Sequence, residues 1–258
     1  MNIGISTGCF FPEKTDVALC KVAKLGAKYA EIFFNTDSEL EEEFLYKLKA
    51  IADKNAMQII SVHPFTSAIE TFYFFSKYDY KLEDAIKMYE KYFRACQILN
   101  CKFVVFHGCF TKCSHITMER YTEILNMLGH RAAQYGVYIS QENVVEYKCG
   151  YLENLKIFHS LAQENIKFTF DIKQAVRANQ DIYEILNLVK NRISHVHISD
   201  FDGTADSLVP LQGNFDFKRF FSYIQENTSA DTALIEVYRD NIDSDEDIAK
   251  AMKKLESL

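Results

Sequence analysis

Six side chains able to bind a metal or move a proton stand at corresponding places in six short runs: His63, His107, Glu142, Asp171, His197 and Glu236. In an extended strand successive side chains point to opposite faces, so parity assigns each run one shared face. Ile59, Ser61 and His63 fall together, as do Phe103, Val105 and His107. The same holds for Tyr138, Ser140 and Glu142, for Lys167, Thr169 and Asp171, for His195 and His197, and for Leu234, Glu236 and Tyr238. Each set carries His or a carboxylate near the C-terminal end of its run. If the runs are consecutive strands of one barrel, all six groups meet at its C-terminal mouth, where barrel enzymes carry their chemistry. Ionised carboxylates buried alone cost several kcal/mol, so three converging there call for a cation. Imidazole mixed with carboxylate suits Mn, Zn, Co or Fe better than an ion that takes only oxygen.

The elements that would position these groups are legible from pattern. Strand candidates are Ile3–Thr7, Tyr29–Phe34, Gln58–His63, Phe103–His107, Val137–Asn143, Lys167–Ile172, Ser194–Ser199 and Ala233–Tyr238. Between them lie segments such as Leu82–Leu99, Met118–Tyr135 and Leu152–Glu164, with apolar residues at i, i+3, i+4 and i+7. Thr15-Asp16, Asp37-Ser38 and Asp243-Ser244-Asp245 offer helix N-caps, and Gly26 and Gly136 fall where helices should end. Eight strand–helix pairs at roughly 32 residues each match an α/β chain folded as a (β/α)8 TIM barrel. A doubly wound sheet would need a glycine-rich turn after the first strand, and Thr7-Gly8-Cys9-Phe10 has none. The strands also argue against a helical repeat. The expectation is one domain over residues 1–258.

Composition narrows the class. The 258 residues are 48% hydrophobic, and 29 Lys+Arg against 36 Asp+Glu leave a net charge of −7. That disfavours nucleic acid held by bulk charge. No apolar run approaches the ~20 residues needed to span a bilayer. The N-terminus enters a strand pattern at once, without a signal core. Seven cysteines, an odd number in a core-rich chain, read as free thiols in a reducing cytoplasm. Three Pro and nine Gly leave no room for a flexible linker. The aromatic content and barrel class point to a homodimer, though no interface is readable.

With these residues in view, the chain resembles the xylose-isomerase-like TIM-barrel superfamily, which includes sugar-phosphate isomerases, ketose 3-epimerases, inosose dehydratases and endonuclease IV. The resemblance runs over the whole chain. It rests on Ser61-Val-His-Pro-Phe65, Val105-Phe-His-Gly108, Ser140-Gln-Glu-Asn143, Phe170-Asp171, His195-Val-His-Ile-Ser-Asp200, Leu211-Gln-Gly-Asn-Phe-Asp216 and Leu234-Ile-Glu-Val237. It implies a divalent metal (Mn, Co, Zn or Mg) on Glu142, Asp171, His197 and Glu236, as in the epimerase branch. His63 and His107 match two histidines that complete a second metal in the endonuclease branch, or they touch substrate. The resemblance further implies that Glu142 and Glu236 act as acid and base on opposite sides of a sugar or polyol, through an enediolate. It leaves three alternatives: an inosose-type dehydratase on the same site, a two-metal phosphodiesterase of the endonuclease IV kind, and a degenerate barrel without catalysis. Two departures bear on these. Gln174 stands where many relatives carry His, and Ala205 and Ser207 stand where the endonuclease takes a third metal.

The supporting residues are read less sharply. Gln174 and Arg239 are candidates to hold substrate, with a surface salt bridge the alternative for Arg239. Glu31 either lines the pocket floor or bonds to neighbouring strands. Lys173 either reaches substrate or points outward, and His195 reads as a hydrogen-bonded support for His197. Phe10-Phe11, Phe65, Phe72–Phe75, Phe110 and Phe201 crowd the loops, either as a lid over a sugar or as local packing. Cys109-x3-Cys113-x-His115 is a weak metal clip. No glycine-rich phosphate cradle follows strands seven or eight, so a phosphorylated substrate is not indicated.

Overall fold

Short runs of Val, Ile and Phe that are apolar on both faces pair as parallel strands wrapped by helices, because neither face can be left to water. The computed structural model describes the backbone of residues 1–258 and every side chain but that of Ala68. Eight strands, β1 (Asn2–Ser6), β2 (Tyr29–Phe33), β3 (Gln58–His63), β4 (Phe103–Phe106), β5 (Tyr138–Glu142), β6 (Ile166–Asp171), β7 (Ile193–Ile198) and β8 (Thr232–Ile235), pair in chain order into a closed parallel barrel. Asn2 to Ile5 lie opposite Thr232 to Ile235, which closes β1 on β8. This is the (β/α)8 architecture that the spacing predicts.

Among the described residues, ten α-helices surround it: α1 (Thr15–Lys24), α2 (Glu42–Lys54), α3 (Ser67–Phe74), α4 (Asp79–Leu99), α5 (Met118–Ala133), α6 (Leu152–Leu161), α7 (Ile172–Arg177), α8 (Ile182–Val189), α9 (Phe217–Asn227) and α10 (Asp245–Leu255). Ser244 caps α10 by accepting the N–H of Glu246. The other two caps differ from expectation. Thr15 is already helical and turns its hydroxyl to the carbonyl of Phe33, and Asp37 opens a short 3-10 turn before α2. Residues 72–74 are the end of α3, and Phe75 follows as its C-cap. Phe74 and Phe75 are buried against Tyr89, Phe106 and Tyr121, while Phe72 and Tyr73 face solvent.

Seven of the eight strands, all but β3, stop earlier than the sequence pattern suggests, and at β4 and β8 this moves a site residue out of its strand. β4 ends at Phe106 and β8 at Ile235, so His107 and Glu236 stand one residue past their strands. Gly108, at φ +101°, turns the chain away directly after His107. Glu236 stays attached to the barrel because its N–H donates to the carbonyl of Ile198 (3.1 Å).

Below the mouth the barrel interior is polar and internally paired. Ser140 Oγ meets Thr169 Oγ1 at 2.7 Å and Ser194 Oγ at 2.6 Å. Ser194 reaches inward beside its neighbour His195 because the β6–β7 register skips one residue there. Among the described residues, no helix is long and apolar enough to cross a membrane. All seven cysteines are free.

Candidate functional site

Each group at the mouth arrives on a different stave. Glu142 ends β5, Asp171 ends β6, His197 lies in β7 and Glu236 follows β8. One atom from each lies within 4.8 Å of the others, close enough for one ion to be held by all four. His197 Nδ1 is central: it stands 3.3 Å from Glu236 Oε2, 3.6 Å from Glu142 Oε1 and 4.0 Å from Asp171 Oδ2. The ring is turned by its other nitrogen, since Nε2 lies 3.1 Å from Glu31 Oε2. Glu31 is in turn fixed by hydroxyl hydrogen bonds from Ser6 (3.0 Å) and Ser61 (2.7 Å).

A second group shares Glu142. Its Oε2 lies 3.0 Å from His107 Nε2 and 3.6 Å from His63 Nε2, and the two imidazole nitrogens are 3.1 Å apart. His63 stacks on Phe33, with centroids 4.4 Å apart. A third group, Glu31 with His195 and His197, is wholly buried beneath the first. His195 Nδ1 meets Ser194 Oγ at 2.9 Å, which anchors the ring below His197.

The residues present fit a cation. His197 Nδ1 is buried without a hydrogen-bond partner, Asp171 Oδ2 has the Lys173 ammonium beside it at 3.2 Å, and Glu142 turns Oε1 to His197 and Oε2 to His107. Buried polar atoms are nearly always satisfied, so an imidazole nitrogen left orphaned among three carboxylates marks a place built for something more. Titration behaviour agrees. Burial alone would raise the pKa of Glu142, yet His107, His197 and His63 hold it well below the usual range. Burial raises Asp171 to about 7, with Glu142 and Glu236 adding and Lys173 opposing. Burial works to lower His197, but Glu31 and Glu236 keep it well above an ordinary histidine. Protons therefore compensate the carboxylates here, a task that a divalent ion performs without them.

These groups open onto a cavity of about 380 Å3, walled on the other side by Phe11, Phe33, Asn35 and Tyr238. A larger groove of about 1070 Å3 runs outside the barrel along α5, but its charges are already spent in pairs such as Arg120–Glu123 and Arg131–Glu90. The smaller cavity is the one with unsatisfied groups.

A family profile described as "Xylose isomerase-like TIM barrel" matches residues 19–258. The chain belongs to that family. Among solved structures, a D-tagatose 3-epimerase-like protein is 20% identical with TM-score 0.81, over 100% of this chain and 96% of the other. The IolI protein with a bound zinc atom is 20% identical with TM-score 0.77, over 99% and 96%. The probable 3-DHS dehydratase AsbF from Bacillus anthracis is 15% identical with TM-score 0.80, over 99% of both chains. No curated protein matches.

Within this xylose isomerase-like barrel the supporting residues sort differently from the sequence reading. Gln174 is on the cavity wall, its Oε1 accepting the N–H of Val145 (3.2 Å). Arg239 is not, because its guanidinium is drawn 2.5 Å from Asp245 at the start of α10. Glu31 does not line the cavity either, since His197 and two serines surround it with no exposed surface. Lys173 turns into the site instead of outward. Its ammonium lies 3.1 Å from Glu236 Oε2 and 3.2 Å from Asp171 Oδ2. Ala205 and Ser207 bring no ligand atom, and Asp206 between them is forked by Arg177, which also donates to Tyr238 Oη (2.8 Å). His115 bonds toward the carbonyl of Phe75, so no metal clip forms with Cys109 and Cys113. Phe33 and Asn35 were missed. Continuing the alternation of β2 outward from Glu31 would have found both.

The segments Asp200 and Leu211–Asp216 have a structural explanation. The Asp200 carboxylate accepts the N–H groups of Phe201, Leu211, Gly213 and Phe215 at 2.8 to 3.0 Å, folding the β7–α9 loop around itself. A Cβ on Gly213 would stand 2.5 Å from that carboxylate, so only glycine fits.

Proposed function

We propose that this chain is a metal-dependent enzyme that isomerises or epimerises a small, unphosphorylated sugar or polyol by moving a proton next to a carbonyl. The observation that carries the reading is the convergence of Glu142, Asp171, His197 and Glu236, with the His197 Nδ1 left without a hydrogen-bond partner among the three carboxylates. Similarity in fold to a D-tagatose 3-epimerase-like protein and to the zinc-bound IolI supports it. Those four residues would hold one divalent ion, with His63 and His107 available for a second or for substrate oxygens. When bound, such an ion polarises a carbonyl and makes the neighbouring C–H more acidic.

The remaining work falls to the chain. Glu142 and Glu236 reach the cavity from β5 and from the end of β8, which allows one to remove a proton and the other to return it from a different side. Histidine and Lys173 keep both carboxylates ionised, the form that can accept a proton. Phe11, Phe33 and Tyr238 give a sugar's C–H faces apolar surface and limit water. Among the described residues Lys173 is the one Lys or Arg on the cavity wall, and two carboxylates already engage it, so the cavity lacks a free ammonium or guanidinium for phosphate.

The test is a panel of free ketoses and inositols with Mn2+ in deuterated water. Deuterium should enter at the carbon beside the carbonyl, and Glu142→Gln and Glu236→Gln should each lose at least about a hundredfold in turnover with the fold intact. Undiminished exchange in both variants sinks the assignment. Loss of water from the substrate would instead mark a dehydratase using the same proton abstraction.

A further inference from the structure

Three carboxylates of the proposed ligand set stand beside a single ammonium, that of Lys173, which is only 2% exposed. Taken ionised, with His197 neutral, they leave the cluster with a net charge of −2, which one divalent ion balances. The ammonium spends its donors on this cluster alone, contacting Glu236 Oε2 (3.1 Å), the Glu236 carbonyl (3.4 Å) and Asp171 Oδ2 (3.2 Å). From outside it is covered by the ring of Tyr238, 5.0 Å to the centroid, whose hydroxyl Arg177 holds in turn. A buried ammonium is expensive unless something needs its charge, and a surface ion pair does not explain one that opens onto the cavity.

We propose that Lys173 is the resident counter-charge of this cluster, setting which ionic charge the site prefers and how tightly it holds it. The proposal rests on the metal-binding part of the reading above. With the ammonium present the site balances a divalent ion and disfavours a trivalent one. Without it, Asp171 and Glu236 gain free lone pairs and the site becomes more negative by one unit.

Calorimetric titration of chelator-stripped protein with Mn2+ and with Tb3+ tests this. Lys173→Met, close in volume but uncharged, should bind Mn2+ about tenfold more tightly or better. Tb3+ should gain more than Mn2+, because the repulsion removed scales with the ion's charge. Lys173→Gln, which keeps a donor in place, carries the same expectation if the Met variant does not fold. Unchanged or weaker Mn2+ binding in a folded variant overturns the proposal, as does a gain for Tb3+ no larger than that for Mn2+. Wild-type protein that binds neither ion removes the metal reading itself, a separate failure.

Discussion

Glu31 shows how much of the site is set by side chains that touch no ligand. Its carboxylate is fixed by Ser6 and Ser61 and faces His197 Nε2, which leaves Nδ1 aimed at the cluster. Glu31→Gln keeps the shape but weakens the partner that orients the ring. We expect a 10- to 100-fold loss of Mn2+ affinity with an unchanged circular dichroism spectrum; equal affinity in the two proteins would refute the orienting role. At this scale the sequence was readable where alternation holds. Parity alone named His63, Glu142, Asp171 and His197 because each ends or lies within a regular strand. It left Arg239 and Lys173 undecided because both lie in segments where period two has stopped. Lys173 is the second residue of α7, and a helical turn rather than a strand pleat decides its direction.

Elements position the site through buried polar anchors that no periodicity reveals. Glu70 on α3 accepts the N–H groups of His107 (3.1 Å) and Gly108 (2.6 Å) and the hydroxyl of Tyr89, so a helix outside the barrel fixes the turn that carries His107. Burial raises its pKa from 4.5 to about 7, against the lowering influence of His107, Tyr89, Gly108 and His63. A carboxyl whose folded pKa is raised favours folding when protonated. Its contribution is complete below about pH 4.5 and is lost as pH climbs through about 7. Between about pH 5 and pH 8 the wild type should therefore lose roughly 2–3 kcal/mol relative to Glu70→Gln. Urea denaturation at the two pH values checks this, and parallel profiles for the two proteins would contradict it. Strand and helix identities were legible in the chain because apolar periods of two and near four differ strongly. Strand ends were not, because a single backbone choice at Gly108 ends β4, and one carbonyl, that of Ile198, keeps Glu236 in line after β8 has finished.

For the whole molecule, the closed ring would make the proposed ion binding and folding one equilibrium. The four proposed ligand residues come from positions 142 to 236, so an ion held by all of them would bind only the folded chain. At a hundredfold excess over its dissociation constant it should add about 2.7 kcal/mol of stability. That corresponds to a rise in melting temperature of roughly 5–10 °C, read by scanning calorimetry with Mn2+, Co2+ or Zn2+ against chelator. Superimposable melts with all three ions would exclude a site of this kind. The fold class and the meeting of distant residues followed from element count and parity. Substrate selection did not, because the walls of the cavity come from loops whose course depends on packing.

One carboxylate belongs to two neighbourhoods. Glu142 presents Oε1 to His197 and Oε2 to the His63–His107 pair, so neither half of the mouth can change its occupant in private. A proton or cation taken up beside the paired histidines draws electron density from the carboxylate that the other half also uses. By thermodynamic reciprocity, filling the other half must alter uptake beside the histidines by the same factor.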